Sequence, residues 1–105
     1  GGDARARGAI GDYFYRGEIV ERDPVTARKW FATAAAGGEA DSMFNLAAMM
    51  ARGEGGDTDL PRAWALMKIA GANGHPTADA GVTALEAKMS PEEREAGKAL
   101  LTARN

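Results

Sequence analysis

The sequence predicts an all-α fold, a short α/α solenoid of helix pairs that ends in a polar capping helix. One observation is a repeat at a spacing of 36 residues, and another is apolar residues that recur at i, i+4 and i+8 inside each unit. A fixed period of about 20 to 50 residues is typical of stacked repeat proteins, and the shorter spacing is that of one face of an α-helix. Glycines and capping residues at matching places divide each unit into two helices.

The repeat is clearest in identical residues that superpose when the sequence is shifted by 36. The tripeptide Arg16-Gly17-Glu18 reappears as Arg52-Gly53-Glu54. Glycine occupies the same position three times, as Gly2, Gly38 and Gly74. Further identical pairs are Ala4 with Ala40, Asp23 with Asp59, Ala27 with Ala63, Ala34 with Ala70 and Ala36 with Ala72, and the apolar pairs include Ile10 with Leu46 and Trp30 with Leu66.

The first unit begins with a helix predicted over residues 3–17. Ala6, Ile10 and Phe14 follow the spacing of one helical face, which predicts that they point toward the core. Gly17 is expected to end this helix, because helices commonly end at a residue in the left-handed conformation, which glycine adopts readily. The helix is therefore followed by a loop at residues 17–22.

A second helix of the first unit is predicted over residues 23–37. Asp23 is a suitable N-cap, and Pro24 can take the first helical position, where its missing N–H costs nothing. We expect Trp30 to fill the space between the helices of this unit. The apolar stripe of the helix comprises Ala27, Trp30, Phe31 and Ala34.

The rest of the chain repeats this arrangement and then departs from it. Helices are predicted over 39–53 and 59–73, with a third first-helix over 76–88. Ser90 to Glu93 reads as a capping box that opens a charged helix over 90–104, suited to cap a solenoid. The stripe of the fourth helix comprises Ala63, Leu66, Met67 and Ala70.

Length and composition suit one small domain. A chain of 105 residues can bury roughly 65% of its unfolded surface. Hydrophobic residues make up 45%, but many are alanine and only 7% of the chain is aromatic, so small side chains must pack closely. We expect a single domain, 1–105, with unit one at about 3–38, unit two at about 39–74, and a partial third unit with the cap at about 75–105.

Several partners and sites are excluded by composition. A net charge of −2 without a dense basic cluster argues against nucleic acid, and the absence of cysteine removes disulfides and thiolate metal sites. No apolar stretch approaches the roughly 20 residues that cross a bilayer, so no direct membrane insertion is expected. A start at Gly1-Gly2-Asp3, with neither Met nor a signal-like apolar run, is expected of a trimmed or processed product.

Two runs of the first unit, IGDYFYRGEIVERD (residues 10–23) and ARKWFATAAAGG (residues 27–38), resemble the Sel1-like repeat. The second unit is a looser copy, with Ala47 for a glycine, Leu66 for the tryptophan and Gly71 for an alanine. The resemblance covers roughly residues 4–88. The residues at the family's positions are Ile10, Gly11, Phe14 (for the usual tyrosine), Gly17, Val20, Asp23, Ala27, Trp30, Phe31, Ala34, Ala35 and Gly38.

This resemblance implies antiparallel helix pairs stacked into a right-handed superhelix. It implies a protein that acts as an adaptor, an assembly factor or a signalling scaffold. A periplasmic or secreted location is favoured by the family, while a cytoplasmic one stays open.

Residues that could carry chemistry have structural interpretations. His75 lies at a helix-ending bend and has no second histidine to share a metal. A calcium loop from Asp57 would need a glutamate at its twelfth position, which is Lys68. The glycine run 53–56 lacks the preceding strand and the following Gly-Lys-Ser/Thr of a phosphate loop. We therefore predict no enzyme and no catalytic, cofactor or metal site.

The predicted function is binding of another protein or peptide through the concave wall of first helices, where residues 36 apart form ladders. An apolar ladder beside a basic one would suit a partner with acidic and apolar residues. Alternatively, the apolar members pack inside helix pairs and the arginines pair with Glu18 and Glu54. The candidate partner-binding residues are Tyr13, Met49 and Leu85 (apolar), Arg16, Arg52 and Lys88 (basic), and Asn45 beside them.

Two classes of interaction protein fit these residues. One is an adaptor or scaffold that binds its partner transiently. The other is a permanent accessory subunit docked on a larger complex, whether soluble or membrane-bound. The wall is short for a standard interface of about 1,600 Å² in total, which favours docking beside other subunits.

Overall fold

The computed structural model describes residues 2–103, which form six α-helices and no strand within that range. This confirms the predicted all-α class; the last residue of the helix predicted over 90–104 lies outside the described residues. None of these helices combines the length and apolarity needed to span a membrane. The helices are α1 (Gly2–Arg16), α2 (Pro24–Ala36), α3 (Ala40–Arg52), α4 (Leu60–Ala72), α5 (Ala78–Glu86) and α6 (Pro91–Ala103).

The helix ends follow the predicted capping residues. Asp23 and Asp59 occupy the N-cap positions of α2 and α4, and each carboxylate accepts a hydrogen bond at 3.1 Å from the backbone amide three residues on. Gly17 and Gly53 follow α1 and α3 in the left-handed region, with φ of 70° and 72°. The capping box at Ser90 is also confirmed: its amide donates to Glu93, whose amide donates to the Ser90 hydroxyl.

The helices pack in consecutive pairs. The first pair is α1 with α2 and the second is α3 with α4, while α2 against α3 joins the two pairs. The last two helices both lie against α4 and scarcely contact one another. α6 buries only Gly97 fully and exposes most other residues, as expected of a polar capping helix.

α5 is shorter than the predicted helix 76–88. Pro76 and Thr77 form a turn instead of a first helical turn, held by a hydrogen bond from the Thr77 amide to Nδ1 of His75. The Thr77 side chain makes no capping hydrogen bond to α5. The helix therefore begins only at Ala78.

The core includes the aromatic residues Phe31 and Trp64, and two predictions about it were wrong. Trp30 is only partly buried and lies outside the core cluster, because Phe31, one position on, is the side chain that turns inward. Ala6 is exposed, since α1 buries the small residues Ala4, Gly8 and Gly11 instead. Gly11 lies directly against the Phe31 ring, which lets α1 and α2 approach closely.

Candidate partner-binding groove

Two adjoining cavities lie between the first helices α1 and α3. The smaller has a volume of about 430 Å³ and the larger about 530 Å³. Four residues line both cavities, which we treat together as one groove. These four are Asp12, Arg16, Phe44 and Asn45.

Four of the seven candidate residues converge on the smaller cavity. Arg16 comes from the last turn of α1, and Asn45, Met49 and Arg52 come from α3. The spacing of 36 residues between Arg16 and Arg52 places them at equivalent ends of their helices. The structure therefore brings these four side chains together at one cavity, and their role in binding stays a prediction.

The predicted apolar ladder is not exposed in the groove. Met49 is 1% exposed and Leu85 is 6% exposed, so they do not project into an open groove, and their burial agrees with the alternative that the apolar members pack inside helix pairs. Both belong to the buried core. Met49 is on α3, which lies between α2 and α4, and Leu85 is on α5, which is covered by α4. Tyr13 is 45% exposed, but neither it nor Leu85 lines either cavity of the groove.

The third member of the basic ladder also lies apart from the groove. Lys88 is exposed in the segment between α5 and α6 and lines neither cavity. The ladder was predicted on the assumption that α5 continues to residue 88, but the helix ends at Glu86. Of the three predicted cations, only Arg16 and Arg52 border the cavity.

Three aromatic residues that were not among the predicted partner-binding residues line the smaller cavity. They are Tyr15, Phe31 and Phe44. The rings of Tyr15 and Phe31 lie 6.5 Å apart and are tilted by 56°, which is a favourable aromatic arrangement. The available signal was that Phe44 directly precedes Asn45, a residue already predicted to face the groove. Met49 and these rings give the cavity an apolar floor.

Arg16 is held at the rim of the groove by acidic neighbours. Its Nε lies 2.8 Å from a carboxylate oxygen of Asp12, and its Nη1 lies 4.0 Å from Glu18. The hydrogen bond to Asp12 raises the pKa of the Arg16 guanidinium above its usual range, with the Asp12 charge adding to it. The side chain is well exposed, so this ion pair is weak in water and can rearrange when a partner arrives.

Arg52 is placed in a similar way on the second unit. Its Nη1 lies 3.5 Å from Glu54, so both ion pairs of the alternative, Arg16 with Glu18 and Arg52 with Glu54, are present. The contact with Glu54 is long and exposed on the arginine side. Both guanidinium groups therefore remain accessible at the rim of the smaller cavity.

His75 forms part of the wall of the larger cavity. Its ring stacks on Phe44 with centroids 4.2 Å apart, and its Nε2 lies 3.5 Å from Asp41. The amide of Thr77 donates to its Nδ1. His75 thus joins α3 to the turn before α5. Among residues 2–103, no three His, Asp or Glu side chains are grouped as metal ligands would be.

A third cavity, of about 560 Å³, lies outside the groove on the side of the second helices, between α2 and α4. Its lining is almost entirely aliphatic, and Arg62 and Asn73 are its only polar side chains. It has no pair of cations beside an aromatic floor. The groove between α1 and α3 differs from it in having both aromatic and cationic side chains.

Comparison with known proteins agrees with this architecture. The family model described as Sel1 repeat matches residues 4–39 and 40–75. The alginate biosynthesis protein AlgK of Azotobacter vinelandii is 31% identical over 94 residues, which cover 90% of this chain. The chain spans only 20% of the length of that relative.

Solved structures show the same fold. A Sel1 repeat protein from Oxalobacter formigenes superposes with a TM-score of 0.76 at 33% identity, over 78% of this chain and 24% of that one. A protective antigen of uropathogenic Escherichia coli strains, which displays an SLR fold, superposes with a TM-score of 0.89 at 22% identity, over 93% of this chain and 21% of that one. Repeats of this kind are generally protein–protein interaction modules. With two matched repeats over most of its length, the chain belongs to the Sel1 repeat family.

Proposed function

We propose that this chain is a non-catalytic interaction module that binds a partner protein or peptide in the groove between α1 and α3. The observation that carries the proposal is the smaller cavity, in which an apolar floor lies beneath two accessible arginines. An apolar pocket with a few convergent polar groups is the usual form of a recognition site.

The floor of the cavity selects for an apolar side chain. Phe31 and Met49 are fully buried beneath it, while Phe44 and Tyr15 are partly exposed along its sides. An aromatic or long aliphatic side chain of the partner would displace water from the exposed parts of Phe44 and Tyr15. Side chains that fill such desolvated pockets carry most of the binding energy of an interface.

The rim of the cavity selects for acidic groups. Arg16 and Arg52 stand on the two helices that flank the opening, so a carboxylate of the partner can approach both. Asn45 lies in the same wall and can donate or accept a hydrogen bond from a peptide backbone. The preferred ligand is a segment in which an acidic residue adjoins a large apolar one.

The experiment uses peptides displayed as a random library and selected on the immobilised full chain. We expect enriched sequences to combine Asp or Glu with an aromatic or aliphatic residue. The double variant Arg16→Glu, Arg52→Glu should bind the selected peptides at least ten-fold more weakly, mainly because association is slower. Its binding should also depend less on salt concentration. The matched control is Arg62→Glu, Lys98→Glu, which reverses two exposed cations away from the groove.

If the reversed variant keeps its helical signal and binds the selected peptides as the wild-type chain does, the groove is not the binding site. The variant is expected to fold, with a somewhat lower melting temperature, because each glutamate lies in the last turn of its helix, where a negative charge costs about 0.3–1 kcal/mol at an exposed site.

A second candidate is a permanent accessory subunit of a larger assembly. The observation that favours it is the likeness to a protein named for its part in alginate biosynthesis. Stoichiometric co-purification of a tagged chain with fixed partners supports this role. Recovery of the chain alone supports a transient adaptor.

A further inference from the structure

His75 is held at three points in the turn between α4 and α5. Its backbone amide donates to the carbonyl oxygen of Ala70 in α4 at 3.0 Å. Its Nδ1 accepts a hydrogen bond from the amide of Thr77 at 3.2 Å, and its Nε2 lies 3.5 Å from a carboxylate oxygen of Asp41 in α3. The side chain is only 12% exposed. The imidazole ring is therefore fixed in one orientation.

Phe44 is supported by this ring. The Phe44 side chain lines both cavities of the groove, so open volume lies beside it in two directions. The His75 ring stacks on it, with centroids 4.2 Å apart and an angle of 4° between the two planes. Such aromatic contacts stabilise a pair of rings beyond the area that they bury. His75 thus holds Phe44 as the partition between the two cavities.

The equivalent contact in unit one has no aromatic ring. Gly8 stands 36 residues before Phe44, and Glu39 stands 36 residues before His75. Gly8 and Glu39 also lie together, since a Cβ atom added to Gly8 would meet the Glu39 carboxylate. The repeat therefore brings these two positions into contact in both units. Only in unit two do rings occupy them, so the partition in the groove is a feature of unit two.

We propose that His75 is a positioning residue for the groove: by holding the Phe44 ring, it sets the shape of the smaller cavity and the apolar side chain that the cavity selects. This inference rests on the proposed binding of a peptide in the groove. A wall that is fixed before the ligand arrives need not be ordered by binding, which strengthens the interaction. It also favours side chains that match the fixed wall over those that fit only when the ring turns.

The test separates the ring of His75 from its hydrogen bond. His75→Phe keeps a ring that can stack on Phe44 but cannot accept from the Thr77 amide. His75→Asn removes the ring, whereas its side-chain oxygen can still accept from that amide. The probes are library peptides that bind the wild-type chain and lose binding to the Arg16→Glu, Arg52→Glu variant, so each of them depends on the groove.

We expect His75→Phe to bind these peptides as the wild-type chain does, and His75→Asn to bind them about two- to ten-fold more weakly. His75→Asn should also tolerate a wider range of apolar residues in a repeated selection. A role for His75 in the turn alone predicts the opposite order, because His75→Phe loses the hydrogen bond to Thr77. That opposite order, an equal loss in both variants, or no loss in either would overturn the proposal.

A second comparison tests whether His75 acts through Phe44. His75 itself lines the larger cavity, so direct contact with the ligand is the alternative. In a Phe44→Ala chain the partition is gone, and adding His75→Asn should then cause no further loss of binding. A loss as large as that in the wild-type background would show direct contact and would overturn the positioning role.

Failure of this inference can be told apart from failure of the proposed function. If no library peptide depends on Arg16 and Arg52, the groove is not the binding site and both proposals are overturned. If such peptides exist and bind His75→Asn as tightly as they bind the wild-type chain, the groove remains the binding site and only the role of His75 is overturned.

Discussion

The hydroxyl of Tyr15 in α1 donates to the carboxylate of Glu54 in the loop after α3, with Oη at 3.0 Å from Oε1 and 3.2 Å from Oε2. This hydrogen bond joins the first unit to the second across 39 residues of sequence. Arg22 lies 3.4 Å from the same carboxylate, and its guanidinium also stacks over the Tyr15 ring at 5.2 Å. Tyr15 and Glu54 therefore fix the spacing of the two units that form the groove.

Tyr15→Phe should lower the free energy of unfolding by about 1 kcal/mol, because a partly buried hydrogen bond to a carboxylate is lost without loss of the ring. For a domain of about 100 residues this corresponds to a decrease in melting temperature of about 4–8 °C. The control is Tyr13→Phe, whose hydroxyl belongs to an exposed side chain. Equal melting temperatures for the two variants would contradict the inter-unit role of Tyr15.

The core predicts a large difference between two neighbouring aromatic residues. Phe31→Ala should cost about 3–5 kcal/mol, because the ring is buried between helices and leaves a cavity. Trp30→Ala should cost clearly less, since its side chain is partly exposed and lies outside the core cluster. Chemical denaturation of both variants measures the difference, and a larger loss for Trp30→Ala would place the core differently.

The fold was predictable because its signals are local. The aspartates at the N-caps and the glycines after α1 and α3 each act within a few residues of a helix end, and the 36-residue repeat places them alike in both units. Local capping chemistry does not depend on how the helices pack. Six helices could therefore be located from the sequence.

The orientation of each helix was harder to predict because it depends on packing. α1 has a weak apolar pattern, and its buried side is marked by glycine, which no hydrophobic pattern detects. The close approach of Gly11 to Phe31 turns the helix so that Ala6 faces solvent. A tryptophan in the family's position also suggested the wrong core residue.

The groove was predictable only in part for a related reason. Equivalent residues of a repeat have equivalent backbone positions, so Arg16 and Arg52 were placed correctly. The burial of equivalent residues differs, because α3, which carries Met49, packs against both α2 and α4, whereas α1, which carries Tyr13, packs mainly against α2. Periodicity alone does not predict that difference.

The glycine at the junction of the two units predicts a specific sensitivity. Gly55→Ala should be more destabilising than Gly38→Ala, although both glycines have positive φ, 70° and 94°. Left-handed backbone costs alanine about 1 kcal/mol at either position. Only at position 55 does the added methyl group also collide with backbone, that of Pro24, which adds about 1–3 kcal/mol. Thermal melting of both variants gives the comparison, and equal losses would disprove the close junction.

The N-cap of α2 predicts a dependence of stability on pH. The side-chain hydroxyl and the backbone amide of Thr26 donate to Asp23, and these hydrogen bonds lower the pKa of its carboxyl below the ordinary value of about 3.9. A lowered pKa stabilises the folded state above about pH 4, and this contribution is lost as the pH falls through the folded-state pKa.

Asp23→Ala should therefore lower the melting temperature at pH 7, and its deficit relative to wild type should shrink between about pH 4 and pH 2. The control is Asp23→Asn, which caps the helix without titrating. Asparagine carries no charge, so the side chain at position 23 should add no pH dependence to the stability of this variant between about pH 4 and pH 2. A deficit of Asp23→Ala that is constant with pH would show that the carboxylate charge has no role at this cap.

The cavity itself can be tested without changing a charge. Ala48 lines its wall on α3 and is partly exposed, so a large side chain there can extend into the open volume of about 430 Å³. Ala48→Trp should abolish binding of peptides selected on the wild-type chain, because the indole occupies the space that their apolar side chain needs. The melting temperature should change little, since no buried contact is removed. Ala99→Trp, at an exposed position of α6, controls for the added aromatic surface and should bind normally. If the Ala48→Trp protein is well folded and still binds these peptides, their apolar side chain occupies another surface, and the aliphatic cavity between α2 and α4 becomes the next surface to fill.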